Sequence, residues 1–321
     1  MPANTPLRDA RRLLIVDGGQ TGTRVRIVTG NTITGRSVTD HDAEPIRTDR
    51  PVVEQIADIT RRLLHHEPVV ESVLLAGLTG LTPQGARTRE LLGLTADVGV
   101  ESVRLAHDSV SAYLAANALE FGVTTAVGTG VVTLGVGPSG LARVDGWGNI
   151  VGDAGSAYWI GRAGIDAALR AFDGRGPRTD LSPLAVAEFG PLPEVYMVLQ
   201  SDPYRVRRIA AFARTVAERA DSGDASSVAI IDAAAQELAI SVAAAAHRSG
   251  TATNSPRISW IGAVLAGNAL LHEKFVTAVH ARLPGARVEK PLGSTLDGVQ
   301  RLIDITDEHP LYSEIHHAPA K

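Results

Sequence analysis

The chain has 321 residues, of which 44% are hydrophobic, and a formal net charge of -4. The negative charge argues against broad binding to nucleic acids or anionic membranes. The lack of cysteine excludes disulfides, zinc sites with cysteine ligands and iron–sulfur clusters. No uncharged apolar stretch approaches the roughly 18 residues of a membrane span. We therefore expect a cytoplasmic protein with a small-molecule partner.

The first part of the chain predicts strands and helices in alternation. The predicted strands are 13–16, 24–28, 32–38, 73–76 and 103–106, with a polar loop at 39–51 and helices at 52–65, 82–92 and 109–120. A second strand-turn-strand pattern then begins without a visible linker. We place a lobe boundary there, which gives predicted domains 1–116 and 117–321.

The second part predicts two strands followed by mostly helical structure. Strands are expected at 124–127, 131–136, 258–261 and 287–290, helices at 156–172, 185–188, 204–219, 226–247, 268–283 and 295–305, and a turn at 262–267. Residues 307–321 contain two prolines and no periodicity, so they predict a loosely held tail. The overall pattern indicates an α/β protein long enough for two cores.

Two glycine-rich turns each connect two β-type segments, Asp17-Gly-Gly-Gln-Thr-Gly-Thr23 and Gly128-Thr-Gly130. Gly18, Gly19 and the other glycines can adopt positive φ and lack Cβ, so backbone N–H groups could approach a phosphate. Neither turn has the sequence of a Walker loop or a dinucleotide fingerprint. Either alone could be an ordinary hairpin connection. Their repetition around Asp108 predicts a two-lobed phosphotransferase.

Two aspartates at strand ends are candidates for chemistry. Asp108 follows a predicted strand and precedes a predicted helix, which is where open α/β sheets bind ligands. It could be the general base for an attacking hydroxyl, or it could cap the helix. Asp17 ends the first strand, where its carboxylate could hold Mg²⁺ through water or simply form the turn.

The glycine-dense segment 146–156 contains a tryptophan and a third carboxylate. Trp147 could pack on a sugar ring while Asp153 accepts hydrogen bonds from sugar hydroxyls. The alternatives are a core tryptophan and another helix cap. The histidine pairs at 65–66 and 316–317 predict surface residues rather than a metal site, because adjacent side chains diverge.

These segments resemble the N-acetylglucosamine kinase branch of the BadF/BadG-type ATPase family. The resemblance is carried by Asp17 to Arg24, Asp108, Gly128 to Gly130, and the tracts 146–160 and 173–177. It runs in order from about residue 13 to about residue 306. The resemblance implies an actin-like sugar-kinase fold, in which two ribonuclease-H-like lobes close on ATP, Mg²⁺ and a sugar in the cleft between them.

The family's site residues transfer position by position. The resemblance implies that Asp108 deprotonates the 6-hydroxyl of the sugar and that Gly146, Trp147, Gly148 and Asp153 contact the sugar. The residues implied to bind the nucleotide are Asp17, Gly18, Gly19, Thr21, Thr23, Gly128, Thr129, Gly130, Ala220, Gly262 and Gly267, with Asp17 also at the metal.

Three departures from the family pattern concern the sugar. Val131 and Val132 stand where the amino-sugar kinases commonly have Ser-Asn, and Ala154 replaces a glutamate. An asparagine that the family supplies is not evident between Arg36 and Pro51. Each lost contact typically costs roughly 1 to 3 kcal/mol, so these changes predict an altered sugar preference.

We therefore predict an ATP-dependent kinase for an amino sugar of the N-acetylglucosamine or glucosamine class. A nucleotide-dependent sugar sensor and a partner-driven actin-like ATPase are the alternatives. The lack of cysteine excludes the activator ATPases that hold an iron–sulfur cluster. The apolar helical faces of the second lobe are compatible with a homodimer.

Overall fold

The structure is a computed structural model that describes residues 12–19, 22–31, 35–47, 49–253 and 255–319. These residues form two compact units. Unit 1 contains the described residues of Met1–Glu120 and Pro291–Lys321, and unit 2 contains those of Phe121–Lys290. This division differs from the predicted boundary at 116 and 117, because the C-terminal segment belongs to unit 1.

The strands, in chain order, are β1 (Arg12–Gly18), β2 (Thr23–Asn31), β3 (Gly35–Ala43), β4 (Ser72–Leu78), β5 (Val100–His107), β6 (Gly122–Val127), β7 (Val131–Gly137), β8 (Gly140–Val144), β9 (Arg257–Ile261), β10 (Arg287–Val288) and β11 (His316–Ala318). The α-helices are α1 (Val52–Leu64), α2 (Thr88–Thr95), α3 (Asp108–Asn117), α4 (Ala157–Asp173), α5 (Leu181–Phe189), α6 (Val195–Ser201), α7 (Arg205–Asp221), α8 (Ala225–Ser249), α9 (Ala263–Ala266), α10 (Ala269–Arg282) and α11 (Thr295–Gln300). Short 3₁₀ turns follow α2 and α11 and precede α6 and β11.

Unit 1 is built on a mixed sheet, whose described strands lie in the order β11-β5-β4-β1-β2-β3. β1, β4 and β5 run parallel; β1 and β4 are almost entirely buried, and β5 is buried at most of its positions. Their apolar runs are typical of strands covered on both faces. The periodic apolar residues of α1 pack into this core, since Val53, Ile56 and Ile59 are buried as the spacing predicts.

The C-terminal segment packs on unit 1 through its backbone. The N–H groups of Leu292 and Gly293 donate to the carbonyls of Ala116 and Ala115, at the end of α3. Gly298 of α11 lies directly against the backbone of Ser111. These contacts explain why residues from 291 onward join the first unit.

Unit 2 has its own mixed sheet, whose described strands are ordered β10-β9-β6-β7-β8. β9 runs parallel to β6, and β6, β7 and β8 form an antiparallel meander. The long helix α8 packs against this sheet, with Ile231, Leu238 and Val242 fully buried. This arrangement gives unit 2 a separate hydrophobic core.

Helix α8 is also long and apolar enough to cross a membrane by composition alone. It contains Asp232 and Glu237, so the prediction that no uncharged stretch has that length stands. Much of the helix is covered by the sheet and by α7 and α10. Its apolar composition is therefore accounted for by the core of unit 2.

Two predictions between residues 32 and 92 are wrong in their bounds. The expected loop after residue 38 is still strand, because β3 pairs with β2 through Ala43. The exposed side chains of residues 37–42 gave no alternation to reveal it. The helix expected at 82–92 begins at Thr88, because Thr82 accepts hydrogen bonds from Gly85 and Ala86 in a turn.

The prediction of a loosely held tail is wrong for the described part of 307–321. β11 pairs antiparallel with β5 at the edge of the sheet. Leu311 is fully buried and Ala318 nearly so. A three-residue strand is too short to show periodicity, so its pairing depends on the tertiary structure.

Candidate functional site

The first group of predicted site residues lies at the edge of the unit 1 sheet that is formed by the carboxyl ends of its parallel strands. Asp17 pairs with Gly77 of β4, and Gly77 pairs with Ala106 of β5. Asp108 follows β5 directly and is the first residue of α3. Because the three strands are parallel, their carboxyl ends bring Asp17 and Asp108 to the same edge.

Asp17 is held by the hydroxyl of Thr295, which donates to its Oδ2. Burial raises the pKa of Asp17 above its ordinary value, and the nearby charge of Asp108 adds to the rise. The Thr295 hydrogen bond and the charge of Arg24 act in the opposite direction. Asp17 belongs to β1 and accepts this remote bond, so the alternative of a merely turn-forming aspartate does not describe it.

The environment of Asp108 favours its ionised form. Burial opposes ionisation, but hydrogen bonds from His107, Thr79 and the Ser109 N–H lower the pKa of Asp108 below its ordinary value. The Nδ1 atom of His107 lies 2.9 Å from Asp108 Oδ1. The same Nδ1 lies 3.2 Å from the Ser109 nitrogen, so it donates to Asp108 in the tautomer that carries a hydrogen on Nδ1 and accepts from the Ser109 N–H in the tautomer that does not.

Asp108 is not the cap of α3. That position belongs to His107, whose side chain faces the Ser109 N–H. The capping role considered for Asp108 is therefore wrong. Its carboxylate is half-buried at the sheet edge and partly accessible.

The first glycine turn differs from its predicted geometry. Among the described residues, Gly18, Gly19 and Gly22 do not have positive φ. Gly18 belongs to β1, where a Cβ would lie 2.7 Å from Leu78 Cδ2, so close packing requires the glycine. The Gly19 N–H donates to the Gly22 carbonyl at 3.0 Å and closes the turn, so this donor is used internally.

Of the two threonines predicted to bind the nucleotide at this turn, the structure describes only Thr23. Thr21 lies outside the described residues. Thr23 is 1% exposed, and its hydroxyl has no hydrogen-bond partner among the residues that the structure describes. A side chain buried to this degree has almost no surface for a nucleotide, so we leave Thr23 out of the nucleotide contacts proposed below.

The second glycine turn is supported from behind by the start of α4. The Gly128 N–H donates to the Gly130 carbonyl at 2.9 Å. The N–H groups of Ala157 and Tyr158 donate to the carbonyls of Gly128 and Thr129. Thr129 is exposed at the tip.

Asp153 lies directly against this turn. A Cβ at Gly130 would come within 2.6 Å of Asp153 Oδ2, so the carboxylate fits only because residue 130 is glycine. Burial raises the pKa of Asp153, and the N–H groups of Val131 and Gly148 lower it by hydrogen bonding. The cap of α4 is Ser156, so the capping alternative for Asp153 is wrong.

Trp147 is a surface residue of the loop before Asp153. Its side chain is 72% exposed, so the alternative of a core tryptophan is also wrong. The flanking Gly146 and Gly148 have φ values of 77° and 86°. Two left-handed glycines turn the chain sharply on either side of the tryptophan.

The valines that depart from the family pattern play different structural roles. Val131 is 4% exposed and belongs to the core of unit 2. The side chain of Val132 is half-buried and packs beside the Cα of Gly146. Val132 is thus the one of the pair that adjoins the glycine-dense loop.

Of the residues predicted to lie beside the adenosine, Gly262 lies next to the second turn. Gly262 follows β9 and lies against the Val127 carbonyl, immediately before Gly128. Gly267 ends the short helix α9, which begins after Gly262. Ala220 is 4% exposed inside the core of unit 2, so its side chain offers almost no contact surface.

The sequence analysis did not identify Asp145, Thr295 or Thr79, which hold the candidate carboxylates or their backbone. Asp145 accepts hydrogen bonds from the backbone around Asp153. The pair Asp145-Gly146 is a common turn signal that could have marked it. Ser294 and Asp297 form a capping box that fixes Thr295 at the start of α11, and the spacing Ser-x-x-Asp signals such a start.

The histidine pairs were predicted to be surface residues. The described residues contain no group of three or more histidines, cysteines, aspartates or glutamates that could hold a metal ion. His65 and His66 are exposed at the end of α1. The prediction of surface histidines holds for this pair.

Comparisons with known proteins match most of the chain to one family. The model of the BadF/BadG/BcrA/BcrD ATPase family matches residues 16–300. The N-acetylmuramic acid/N-acetylglucosamine kinase of Clostridium acetobutylicum is 29% identical over 170 residues, which are 52% of this chain and 56% of that protein. The N-acetyl-D-glucosamine kinase of Dictyostelium discoideum is 43% identical over 63 residues, 19% of this chain and 20% of that protein. The matched regions thus span about half and about a fifth of these relatives.

A solved structure shows the same fold over nearly the whole length. The crystal structure of a candidate N-acetylglucosamine kinase from Chromobacterium violaceum has a TM-score of 0.70 and 20% identity, covering 92% of this chain and 99% of that one. The fold is therefore α/β, with two ribonuclease-H-like lobes of the actin-like type, as the family resemblance implied.

Proposed function

The chain belongs to the BadF/BadG/BcrA/BcrD ATPase family, and from this premise we propose that it is an ATP-dependent carbohydrate kinase. Its proposed acceptor is the 6-hydroxyl of an amino sugar of the N-acetylglucosamine or glucosamine class. The names of the two curated relatives support this substrate class.

The observation that carries the proposal is the pair of carboxylates at the edge of the unit 1 sheet. Asp17 and Asp108 share this edge, yet their surroundings move their pKa values in opposite directions. Neighbouring acids with separated pKa values are typical of sites that assign them different roles. Asp108 is ionised and its carboxylate is partly accessible, so it is the candidate for accepting the hydroxyl proton.

In the proposed reaction, the oxygen of the sugar hydroxyl attacks the γ-phosphorus of ATP. The bond from that phosphorus to the β–γ bridging oxygen breaks, giving ADP and a sugar phosphate. The carboxylate of Asp108 accepts the hydroxyl proton as the new P–O bond forms. His107 and Thr79 keep this carboxylate ionised and oriented for that transfer.

Unit 2 is proposed to contribute to sugar binding. The carboxylate of Asp153 would accept hydrogen bonds from sugar hydroxyls. Trp147, with its exposed indole, would pack on the ring face, and the backbone of Gly146 and Gly148 would line the same loop. The half-buried Val132 next to Gly146 offers no hydrogen bond, which favours a sugar without a polar group at that place.

The nucleotide is proposed to bind at the two glycine turns. Gly18, Gly19 and Thr21 would contact its phosphates from unit 1, and Gly128, Thr129 and Gly130 from unit 2. Gly262 and Gly267 would adjoin the adenosine. Ala220 and Thr23 are left out because their side chains are buried.

Asp17 fits the binding of Mg²⁺, which usually takes one or two carboxylates together with substrate phosphates. Burial makes the carboxylate of Asp17 costly to ionise, and a nearby cation would offset that cost. Bound Mg²⁺ would neutralise charge on the phosphates. Thr295 holds the carboxylate in place through its hydroxyl.

The test is ADP release from Mg-ATP with glucosamine, N-acetylglucosamine, N-acetylmannosamine, N-acetylmuramic acid and glucose. We expect turnover with at least one amino sugar and loss of that turnover in Asp108→Asn. ADP release without sugar would favour a partner-driven ATPase. Sugar binding without turnover would favour a sensor. A homodimer and a cytoplasmic location stay predictions from the sequence.

A further inference from the structure

The carboxylate of Asp145 closes the loop that carries Asp153. Its Oδ1 accepts hydrogen bonds from the N–H groups of Gly146 and Asp153, both at 2.8 Å. Its Oδ2 accepts from the N–H of Ala154 at 2.9 Å. Bonds to a charged acceptor are stronger than those between neutral groups. One side chain therefore ties the two ends of the loop together.

The backbone of this loop is unfavourable without such support. Asp145 and Asp153 have φ values of 57° and 60°, in the left-handed region that residues with a side chain seldom adopt. Such conformations persist where the surrounding structure fixes them, and they are common at functional sites. The Asp145 bonds supply that fixing at both positions.

The loop is also tightly packed around the Asp145 carboxylate. A Cβ at Gly152 would lie 2.6 Å from Asp145 Oδ1. The two residues before that glycine are apolar but exposed, since Ile150 is 88% and Val151 80% accessible. Burial of these side chains therefore does not hold the loop, whose polar anchors include the three bonds to Asp145 and the bond from the Gly152 N–H to the Gly148 carbonyl.

Asp153 is thereby fixed from two directions. Its N–H is bound by Asp145, while its carboxylate accepts from the N–H groups of Val131 and Gly148. The residue is only 7% exposed, so a small backbone shift would withdraw the carboxylate from any ligand or drive it into Gly130.

We propose that Asp145 is a positioning residue for the sugar, whose carboxylate holds the backbone of residues 153 and 154 so that Asp153 can bind sugar hydroxyls. This inference rests on the proposed function, because it assigns Asp153 to the sugar. A purely structural role would instead stabilise unit 2 without favouring one ligand over another.

Two substitutions distinguish the hydrogen bonds of the Asp145 side chain from its effect on the backbone conformation. Asp145→Asn keeps one acceptor oxygen, and asparagine tolerates the left-handed conformation. Asp145→Gly removes the acceptor but relieves the backbone strain. The matched control is Asp166→Asn, because Asp166 is an exposed aspartate on α4 of the same unit and pairs only with Arg170 in the described structure.

The experiment measures the binding of N-acetylglucosamine and of Mg-ADP separately by isothermal titration calorimetry. We expect Asp145→Asn to weaken sugar binding about tenfold and Asp145→Gly to weaken it further. Mg-ADP binding and the melting temperature of Asp145→Asn should stay close to those of Asp166→Asn. Hydrogen exchange should accelerate at the amides of Gly146, Asp153 and Ala154 in both Asp145 variants.

A double-mutant cycle with Asp153→Asn measures whether the effect of Asp145 on sugar affinity depends on Asp153. A purely structural role of Asp145 would not produce such a dependence. If Asp145 acts through Asp153, its substitution should change sugar affinity by less than about twofold once Asp153 is altered. The inference would be overturned if the two substitutions reduced sugar affinity independently, so that the double variant lost the product of the two single effects. Wild-type sugar affinity in both Asp145 variants would also overturn it. If the wild-type protein itself binds no amino sugar, the proposed function is overturned together with this inference, and the wild-type titration alone reveals it.

Discussion

The two glycine turns share a strand-turn-strand pattern but obtain their carboxylates in different ways. In unit 1, Asp17 lies next to the end of the strand that leads into the turn, and it accepts a hydrogen bond from Thr295, 278 positions later in the sequence. In unit 2, Asp153 comes from a later loop and is inserted against Gly130. A local pattern thus forms each turn, whereas a distant segment holds the acid beside the first turn and supplies the acid beside the second.

The acids also differ in their ionisation. Burial raises the pKa of Asp17 and Asp153, each next to a glycine turn. Hydrogen bonds lower the pKa of Asp108, which lies at the start of α3. This difference is compatible with the proposed division, in which Asp108 accepts the proton and the other two bind ligands. The following variants test this division, from the largest expected effect to the smallest.

Asp108→Asn should lower kcat by roughly 10²- to 10⁴-fold, the range that general bases contribute. The fold should persist, because Asp108 is not the cap of α3. A coupled assay of ADP release and a circular dichroism melt measure the two quantities. Retained turnover in the folded variant would remove Asp108 from the proton transfer.

Gly130→Ala should damage unit 2 by pushing the new Cβ into Asp153 Oδ2. We expect a cost of about 1–3 kcal/mol in stability, as for other overpacking changes, together with weaker sugar binding. Gly128→Ala is the matched control, since a Cβ there meets open space. Equal losses in both variants, measured by thermal melts and sugar titration, would contradict the close contact of Gly130 with Asp153.

Thr295→Val should raise the Mg²⁺ concentration for half-maximal activity about tenfold, because a hydrogen bond to a charged group is lost. Thr295→Ser keeps the hydroxyl and should behave nearly as wild type. Mg²⁺-dependent thermal stabilisation in the presence of ADP gives a second readout. A Mg²⁺ response that is the same in both variants would show that Thr295 has no influence on Asp17.

His107→Ser should shift the acid limb of the rate profile to higher pH. The His107 bond lowers the pKa of Asp108, so its removal raises that pKa and Asp108 becomes protonated sooner on acidification. Because the pKa of Asp108 is lowered in the folded protein, its ionisation stabilises the fold at any pH above the pKa of the unfolded state. This stabilisation is lost as the pH falls through the pKa of the folded state. Serine remains able to cap α3. An acid limb at unchanged pH in kcat/KM would contradict the role of His107.

Most regular elements were predictable because their side chains repeat with the period of a strand or helix. β1, α1 and α8 bury the residues that their patterns marked. Helix α3 follows the same rule for Val110, Tyr113 and Leu114, but ends at Asn117 and leaves Leu119 39% exposed. The polar extension of β3 had no such pattern, because its edge position leaves its side chains in water.

The candidate site was predictable as a set of residues but not as a set of contacts. Asp17, Asp108 and Asp153 could be marked from their places after strands and between glycines. Their hydrogen bonds from Thr295, Thr79 and Val131 could not be marked, since these partners are distant in sequence or act through the backbone. The described glycines of the first turn do not use the positive φ that glycine permits, and at Gly18 close packing by Leu78 is the constraint instead.

The sequence by itself determined the order of strands and helices, the two glycine turns, the candidate acids and the resemblance to a family whose membership the comparisons confirm. These features depend on local spacing and residue type. Only the tertiary structure decided that the C-terminal segment belongs to unit 1 and that Asp145 anchors the Asp153 loop. Those outcomes depend on backbone hydrogen bonds and close packing between distant segments. Neither produces a periodic pattern of residue types in the sequence.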